Sequence, residues 1–203
     1  MTLSVVLDRF GELLHARLES DAFTTEDSVR YTFFAALLEK GGIDCHHVIM
    51  EYRHPSIPGA EIDTWIPSFD GSGLAVEFKY DRDIPSGRNT PRTQKAGKVI
   101  HDLYRLGKIE AHMRRVFIYL TGPEMVGYFG NPTNGLAKFF LLPSGQSLAI
   151  DSAFLSGKSA TFTASVGEIP NVIVTGLYGR SLPKLHHVRA YEVKNTPPRE
   201  TAG

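Results

Sequence analysis

Apolar residues open the chain at intervals of three and four. Leu3, Val6, Leu7, Phe10, Leu14 and Leu18 fall on one stripe of an amphipathic helix. A second helix is expected from Thr24 or Thr25, whose hydroxyl can cap free amides. It continues through Glu26 and Asp27, which suit the positive end of the helix dipole, and stops at Gly41-Gly42. The pattern then shortens. "HHVIMEYRH", "EIDTWIPS", "GLAVEFKYD" and "RRVFIYLTG" are brief alternating or apolar runs bounded by Gly, Pro and Asp, as strands are. Between the last two, Ala96, Val99, Ile100, Leu103 and Leu106 make a helical stripe. Strand, crossover helix and strand form a βαβ unit, so the fold class is α/β.

Past residue 121 the runs "LAKFFLLP", "SLAID", "ATFTASV", "NVIVTGLYG" and "HHVRAYEVK" read as strands, and "PEMVGYFGNPTNG" as a short helix with a loop. The tail "NTPPRETAG" is expected to fray. The resulting expectation is one domain over residues 1–203, with an α/β core at about 24–120 and a β-rich C-terminal elaboration at 121–195 that serves recognition or dimerisation.

Composition narrows the class. With 203 residues, 42% hydrophobic and 22% charged, the chain has the make-up of an ordinary globular protein. Its single cysteine, Cys45, cannot form an internal disulfide and is read as a buried small apolar residue. No signal-type leader and no apolar run of ~18 residues is evident, so a cytoplasmic protein with no membrane partner is expected.

The net charge of zero hides a division. Residues 1–78 hold 5 Lys+Arg against 13 Asp+Glu, residues 79–115 hold 10 against 4, and residues 116–203 hold 7 against 5. Basic charge therefore follows "AVEFKYD" directly, where it forms either a solvated face or a contact for a polyanion.

Candidate chemistry sits at that boundary. In a strand, Glu77 and Lys79 share one face while Val76, Phe78 and Tyr80 take the other. If "EIDTWI" pairs with "AVEFKY" as a hairpin, with Gly71 and Gly73 in the connection, Asp63 joins Glu77 and Lys79. Two converging carboxylates repel unless a cation lies between them, and hard oxygen ligands favour Mg²⁺ or Mn²⁺. Lys79 can then orient an attacking water or offset transition-state charge, as phosphodiester hydrolysis requires. Glu-x-Lys alone describes a cross-strand ion pair on a solvated sheet face equally well. The upstream acid, the glycine-containing hairpin and the basic helix that follows tip the balance.

These segments resemble the PD-(D/E)xK nuclease superfamily over roughly residues 24–120: a helix "TTEDSVRYTFFAALLEKGG", a strand, "EIDTWIP", "AVEFKYD" and the helix "PRTQKAGKVIHDLYRL". Ile62, not proline, precedes the aspartate. The resemblance implies a restriction-endonuclease-like core with a central mixed β-sheet flanked by helices. It implies Asp63 and Glu77 as ligands of Mg²⁺ (or Mn²⁺) and Lys79 as the residue assisting the water. Glu26 matches a peripheral acid that serves a second metal or a metal-bound water, and Gln94 a polar residue early in the later helix. A helix-dipole role for Glu26 and a solvent-facing one for Gln94 stay open. The implied activity is Mg²⁺-dependent endonucleolytic cleavage of DNA, of restriction type, by a homodimer. A repair or recombination nuclease of the same fold, or a catalytically silent nucleic-acid-binding module, is the alternative.

The basic segment supplies Arg82, Arg88, Arg92, Lys95 and Lys98 as candidate contacts to DNA phosphates. Lys98–Asp102 and Asp102–Arg105 also have the spacing of intrahelical ion pairs. His46-His47 and His186-His187 are adjacent pairs; in strands their side chains point to opposite faces and do not chelate one ion together. Trp65 and the paired phenylalanines at 33–34 and 139–140 are expected in the core.

Overall fold

The computed structural model describes residues 2–82 and 91–196. Helices α1 (Leu3–Glu19) and α2 (Glu26–Lys40) precede three strands, β1 (Ile49–Arg53), β2 (Glu61–Phe69) and β3 (Ser72–Asp81). Helix α3 (Arg92–Gly107) crosses to β4 (Met113–Thr121). Short helices α4 (Pro123–Gly130) and α5 (Ala137–Phe140), strand β5 (Ser147–Ile150), helices α6 (Ser152–Leu155) and α7 (Ala160–Val166), and strands β6 (Val172–Leu182) and β7 (His186–Asn195) complete the chain. The strands form one mixed sheet in the order β1-β2-β3-β4-β7-β6-β5, in which only the β3–β4 pair is parallel. That pair is the one joined through α3, since parallel neighbours need a crossover. Among the described residues no helix is long and apolar enough to cross a membrane.

Both faces of the sheet are covered. Strand β4 sends Val116, Ile118 and Leu120 into a core with α1 and α2, and Phe117 and Tyr119 into a second core with α3, α4, α5 and α7. Burial on both sides explains why its sequence is a continuous apolar run. The expected caps are present: Thr25 accepts from the Ser28 amide at 3.1 Å while the Ser28 hydroxyl accepts from the Thr25 amide at 3.2 Å, a reciprocal box at the start of α2. The β2–β3 hairpin turns on Asp70 and Gly71 alone, both left-handed (φ 50° and 81°), as a tight two-residue turn demands. Gly73, expected in the connection, lies within β3 instead.

Two expected strands are helices. "ATFTASV" contains Phe162 and Val166 four apart as well as a period-two alternation, and the Ser159 hydroxyl, accepting from the Phe162 amide, caps it as α7. "LAKFFLLP" holds the single turn α5, which puts both adjacent phenylalanines into the same core: Phe139 stacks on Tyr191 and Phe140 on Phe129, with centroids 4.8 Å and 5.2 Å apart. A strand would have separated them. The C-terminal part is therefore as helical as it is stranded, and its strands extend the central sheet through β7. Trp65 is only half-buried, stacked on Tyr52.

Helices α3 and α7 touch at Gly97. A Cβ there would lie 2.6 Å from Ser165 Cβ and 2.8 Å from the Phe162 carbonyl oxygen. Gly97→Ala, which in an exposed helix stabilises by about 1 kcal/mol, is expected to destabilise this protein by about 1–3 kcal/mol through overpacking. Urea denaturation tests this, and a variant as stable as the parent would show that the two helices part freely.

Candidate active site

Strand β3 turns Glu77, Lys79 and Asp81 toward α3, while Val76, Phe78 and Tyr80 face α1 and α2. The antiparallel register of β2 with β3 runs from Phe69↔Ser72 up to Thr64↔Val76. One residue further, Asp63 uses its side chain in the gap between the strands. Its Oδ2 accepts from the Phe78 amide at 2.7 Å and its Oδ1 from Arg30 Nη2 of α2, also at 2.7 Å. Opposite Asp63, Glu51 of β1 adopts φ 54°, a conformation that non-glycine residues rarely take, and its carboxylate lies 3.4 Å from Arg30 Nη1.

Glu77 is 4% exposed. Burial and then the neighbouring charge of Asp63 push its carboxyl up to about 9, against the pull of Arg105. Arg105 Nη2 stands 3.1 Å from Glu77 Oε1, an ion-pair distance, but is misdirected for a hydrogen bond, so Oε1 is buried with no hydrogen-bond partner. The same Arg105 group donates to the Glu61 carbonyl, and its Nη1 lies 3.7 Å from Asp102 Oδ1. Asp102, on the inner side of α3, is raised to about 6 by burial, with Lys79 and Arg105 opposing.

Lys79 Nζ lies 3.5 Å from Glu26 Oε2, which accepts from the Tyr80 amide at 2.8 Å. Burial alone would lower the Lys79 ammonium, but Glu26, Asp102 and Asp81 outweigh it, and the net shift is upward. Asp81, also buried, accepts from the Tyr119 hydroxyl at 2.7 Å and stands 3.7 Å from Lys95 Nζ. His54 braces the far end of α3: it accepts from the Ser56 amide at Nδ1, so Nε2 carries the proton donated to the Arg105 carbonyl at 3.0 Å, and burial holds the ring below its ordinary pKa.

The structure thus places Glu77 near Asp63, and Lys79 against Glu26. Glu26 serves Lys79 and the Tyr80 amide; among the described residues it is not gathered with Asp63 and Glu77 into a three-donor cluster. Of the candidate DNA contacts, Lys95 is engaged with Asp81, Arg92 lies 3.6 Å from Glu124, Lys98 is exposed, and Arg82 sits over the Phe23 ring at 4.9 Å. Gln94 is exposed on α3, and Arg88 lies outside the described residues.

Sequence reasoning missed Arg30, Glu51, Asp81, Asp102 and Arg105. Asp81 was legible, since positions 77, 79 and 81 share a parity. Asp102 and Arg105 continue the spacing of Lys95 and Lys98 along α3, and Arg30 follows Glu26 by one helical turn. Glu51 had no signal, because its exposure to the site depends on a backbone conformation. Counted together, Glu26, Glu51, Asp63, Glu77, Asp81 and Asp102 are six carboxyl groups against the four cations Arg30, Lys79, Lys95 and Arg105, and Glu77, pushed up to about 9, keeps its proton near neutral pH.

No family model matches this chain, and neither a curated protein nor a solved structure does.

Proposed function

We propose that the chain is a metal-dependent endodeoxyribonuclease with a restriction-endonuclease-like core, acting on DNA as a homodimer with Asp63, Glu77 and Lys79 at its centre. One observation carries this reading: the buried Glu77 carboxyl, whose Oε1 lacks a hydrogen bond, stands close enough to the half-buried Asp63 carboxylate to feel its charge, and a lysine stands on the same strand face. The element order α2-β1-β2-β3-α3-β4, with β3 and β4 parallel, supports it as the frame expected of such a core.

The donor set fits a hard divalent cation. Asp63 and Glu77 offer oxygen alone, and Glu77 Oε1 is a buried acceptor still lacking a hydrogen bond. Mg²⁺ or Mn²⁺ bound there would supply Lewis acidity toward a phosphate oxygen and its incoming water. Asp63 and Glu77 would hold the ion; Arg30 and the Phe78 amide fix Asp63, and Arg105 steadies Glu77. Lys79 lends its ammonium to the attacking water and the charge gathering on phosphorus, held in place by Glu26. Water attacks phosphorus as the bond to the 3′-oxygen breaks; the water gives up a proton to solvent and the departing oxygen takes one up, giving 5′-phosphate and 3′-hydroxyl ends. Lys98 and Arg82 flank the site as contacts to the DNA backbone.

A second reading has its own support. Arg30 and Arg105 each sit on one of the two carboxylates, as they would in a charged layer that binds nucleic acid or protein without chemistry. Supercoiled plasmid separates the two. Mg²⁺ and Mn²⁺ should support nicking, while Ca²⁺, which tolerates looser, higher coordination, should support a gel shift with little cutting. Binding without strand breaks in any of the three ions would favour the silent module.

A further inference from the structure

The turn before β1 reads Asp44-Cys45-His46-His47. On a strand the two imidazoles would diverge, but the chain here forms a 3₁₀ turn, Cys45–His47, closed by the His47 amide on the Asp44 carbonyl at 3.0 Å. In 3₁₀ geometry residues three apart eclipse, so Asp44 and His47 share a side, and His46 folds against its neighbour with ring centroids 4.0 Å apart. One ligand atom from each of Asp44, His46 and His47 lies within 4.8 Å of the others, the only such three-donor group among the described residues. Asp44 occupies the N-cap position yet makes no side-chain cap hydrogen bond, so its carboxylate is uncommitted to the backbone amides that an N-cap aspartate ordinarily serves. Cys45 is exposed rather than buried as its type suggested, and its sulfur is outside the cluster.

We propose that Asp44, His46 and His47 form a surface site for a divalent transition-metal ion, zinc above all. Two imidazoles and a carboxylate are the borderline donor set that suits Zn²⁺, Ni²⁺ or Cu²⁺, whereas Mg²⁺ prefers oxygen alone. Donors at about 2.0–2.1 Å from a tetrahedral ion stand roughly 3.3 Å apart, and rotation of three exposed side chains closes the remaining distance. The ion keeps an open position for water or an outside ligand, and Cys45 stays a free thiol. The site is independent of the proposed nuclease chemistry, because it shares no residue with Asp63 and Glu77.

The test is zinc titration by calorimetry in a non-coordinating buffer with Mg²⁺ in excess, on the wild-type chain and on His46→Ala, His47→Ala, Asp44→Asn and Cys45→Ser. All four positions are exposed, so the variants are expected to fold, and circular dichroism checks this. The wild type should show a saturable zinc site. Each histidine variant and Asp44→Asn should weaken it by about tenfold or more, a further variant carrying both His46→Ala and His47→Ala should abolish it, and Cys45→Ser should leave it unchanged. Zinc X-ray absorption should show nitrogen and oxygen neighbours with imidazole scattering and no sulfur at about 2.3 Å. A wild type with no saturable site, a double histidine variant that binds as the wild type does, or a zinc–sulfur shell would overturn the proposal.

Discussion

Glu77→Gln is expected to make the metal-free protein more stable and to abolish its cleavage of DNA. The folded carboxyl is pushed up to about 9 from 4.5 by burial and by Asp63, so the folded state holds a proton that the unfolded chain releases. For an acid raised in this way, the contribution to stability is full below about pH 4.5 and is lost as pH climbs toward about 9. Near neutrality the loss is on the order of 3 kcal/mol, and a glutamine of the same shape does not suffer it. Urea denaturation in EDTA should therefore show the variant's advantage widening from about pH 5 to about pH 9. An advantage that is constant or shrinks with pH would contradict the raised Glu77 carboxyl. In Mg²⁺ the same substitution removes a proposed ligand, and cleavage should fall on the order of 10³-fold. Gain of stability with loss of activity marks a residue kept for chemistry; loss of both would mark a structural ion pair.

Lys79→Ala is expected to lower the single-turnover cleavage rate by roughly 10² or more while DNA affinity hardly changes, because in the proposed mechanism its ammonium acts on the reacting group. Lys98→Ala should do the reverse. Exposed on α3, Lys98 would contact phosphate, and its loss should weaken binding across sequences and reduce the log-affinity against log-salt slope by about one unit. Saturating DNA should restore the Lys98 variant and leave the Lys79 variant slow. A Lys79→Ala protein that reaches the wild-type rate at saturation would make Lys79 one more phosphate clamp.

What the sequence disclosed follows the range over which each signal acts. The cap of α2, Gly71 in the β2–β3 turn and the apolar stripe of α3 depend on neighbours within a few residues, and all are present, whereas Gly73 falls inside β3. The face shared by Glu77 and Lys79 follows from strand parity. Asp63 needed only a hairpin to join them. Arg30, Asp102 and Arg105 carried only helical spacing, which does not disclose what each meets on another strand; Arg30 meets Asp63 across 33 positions. The two misread helices failed for a different reason. "ATFTASV" satisfies both periods, and tertiary packing on α3 decides between them. The histidine turn failed through one wrong boundary, since strand β1 begins at Ile49, two residues after the pair.

The position of β4 shapes the birth of the molecule as well as its finished form. One edge of "VFIYL" pairs with β3, already synthesised, but the other is closed only by β7, which starts 65 residues after β4 ends. At translation rates of about 5–20 residues per second, that edge waits roughly 3 to 13 s for its partner. During the interval the growing chain presents an apolar strand with open amides and carbonyls, the template for pairing with another copy. Shielding of β4 before β7 leaves the ribosome is therefore a requirement distinct from the stability of the completed sheet.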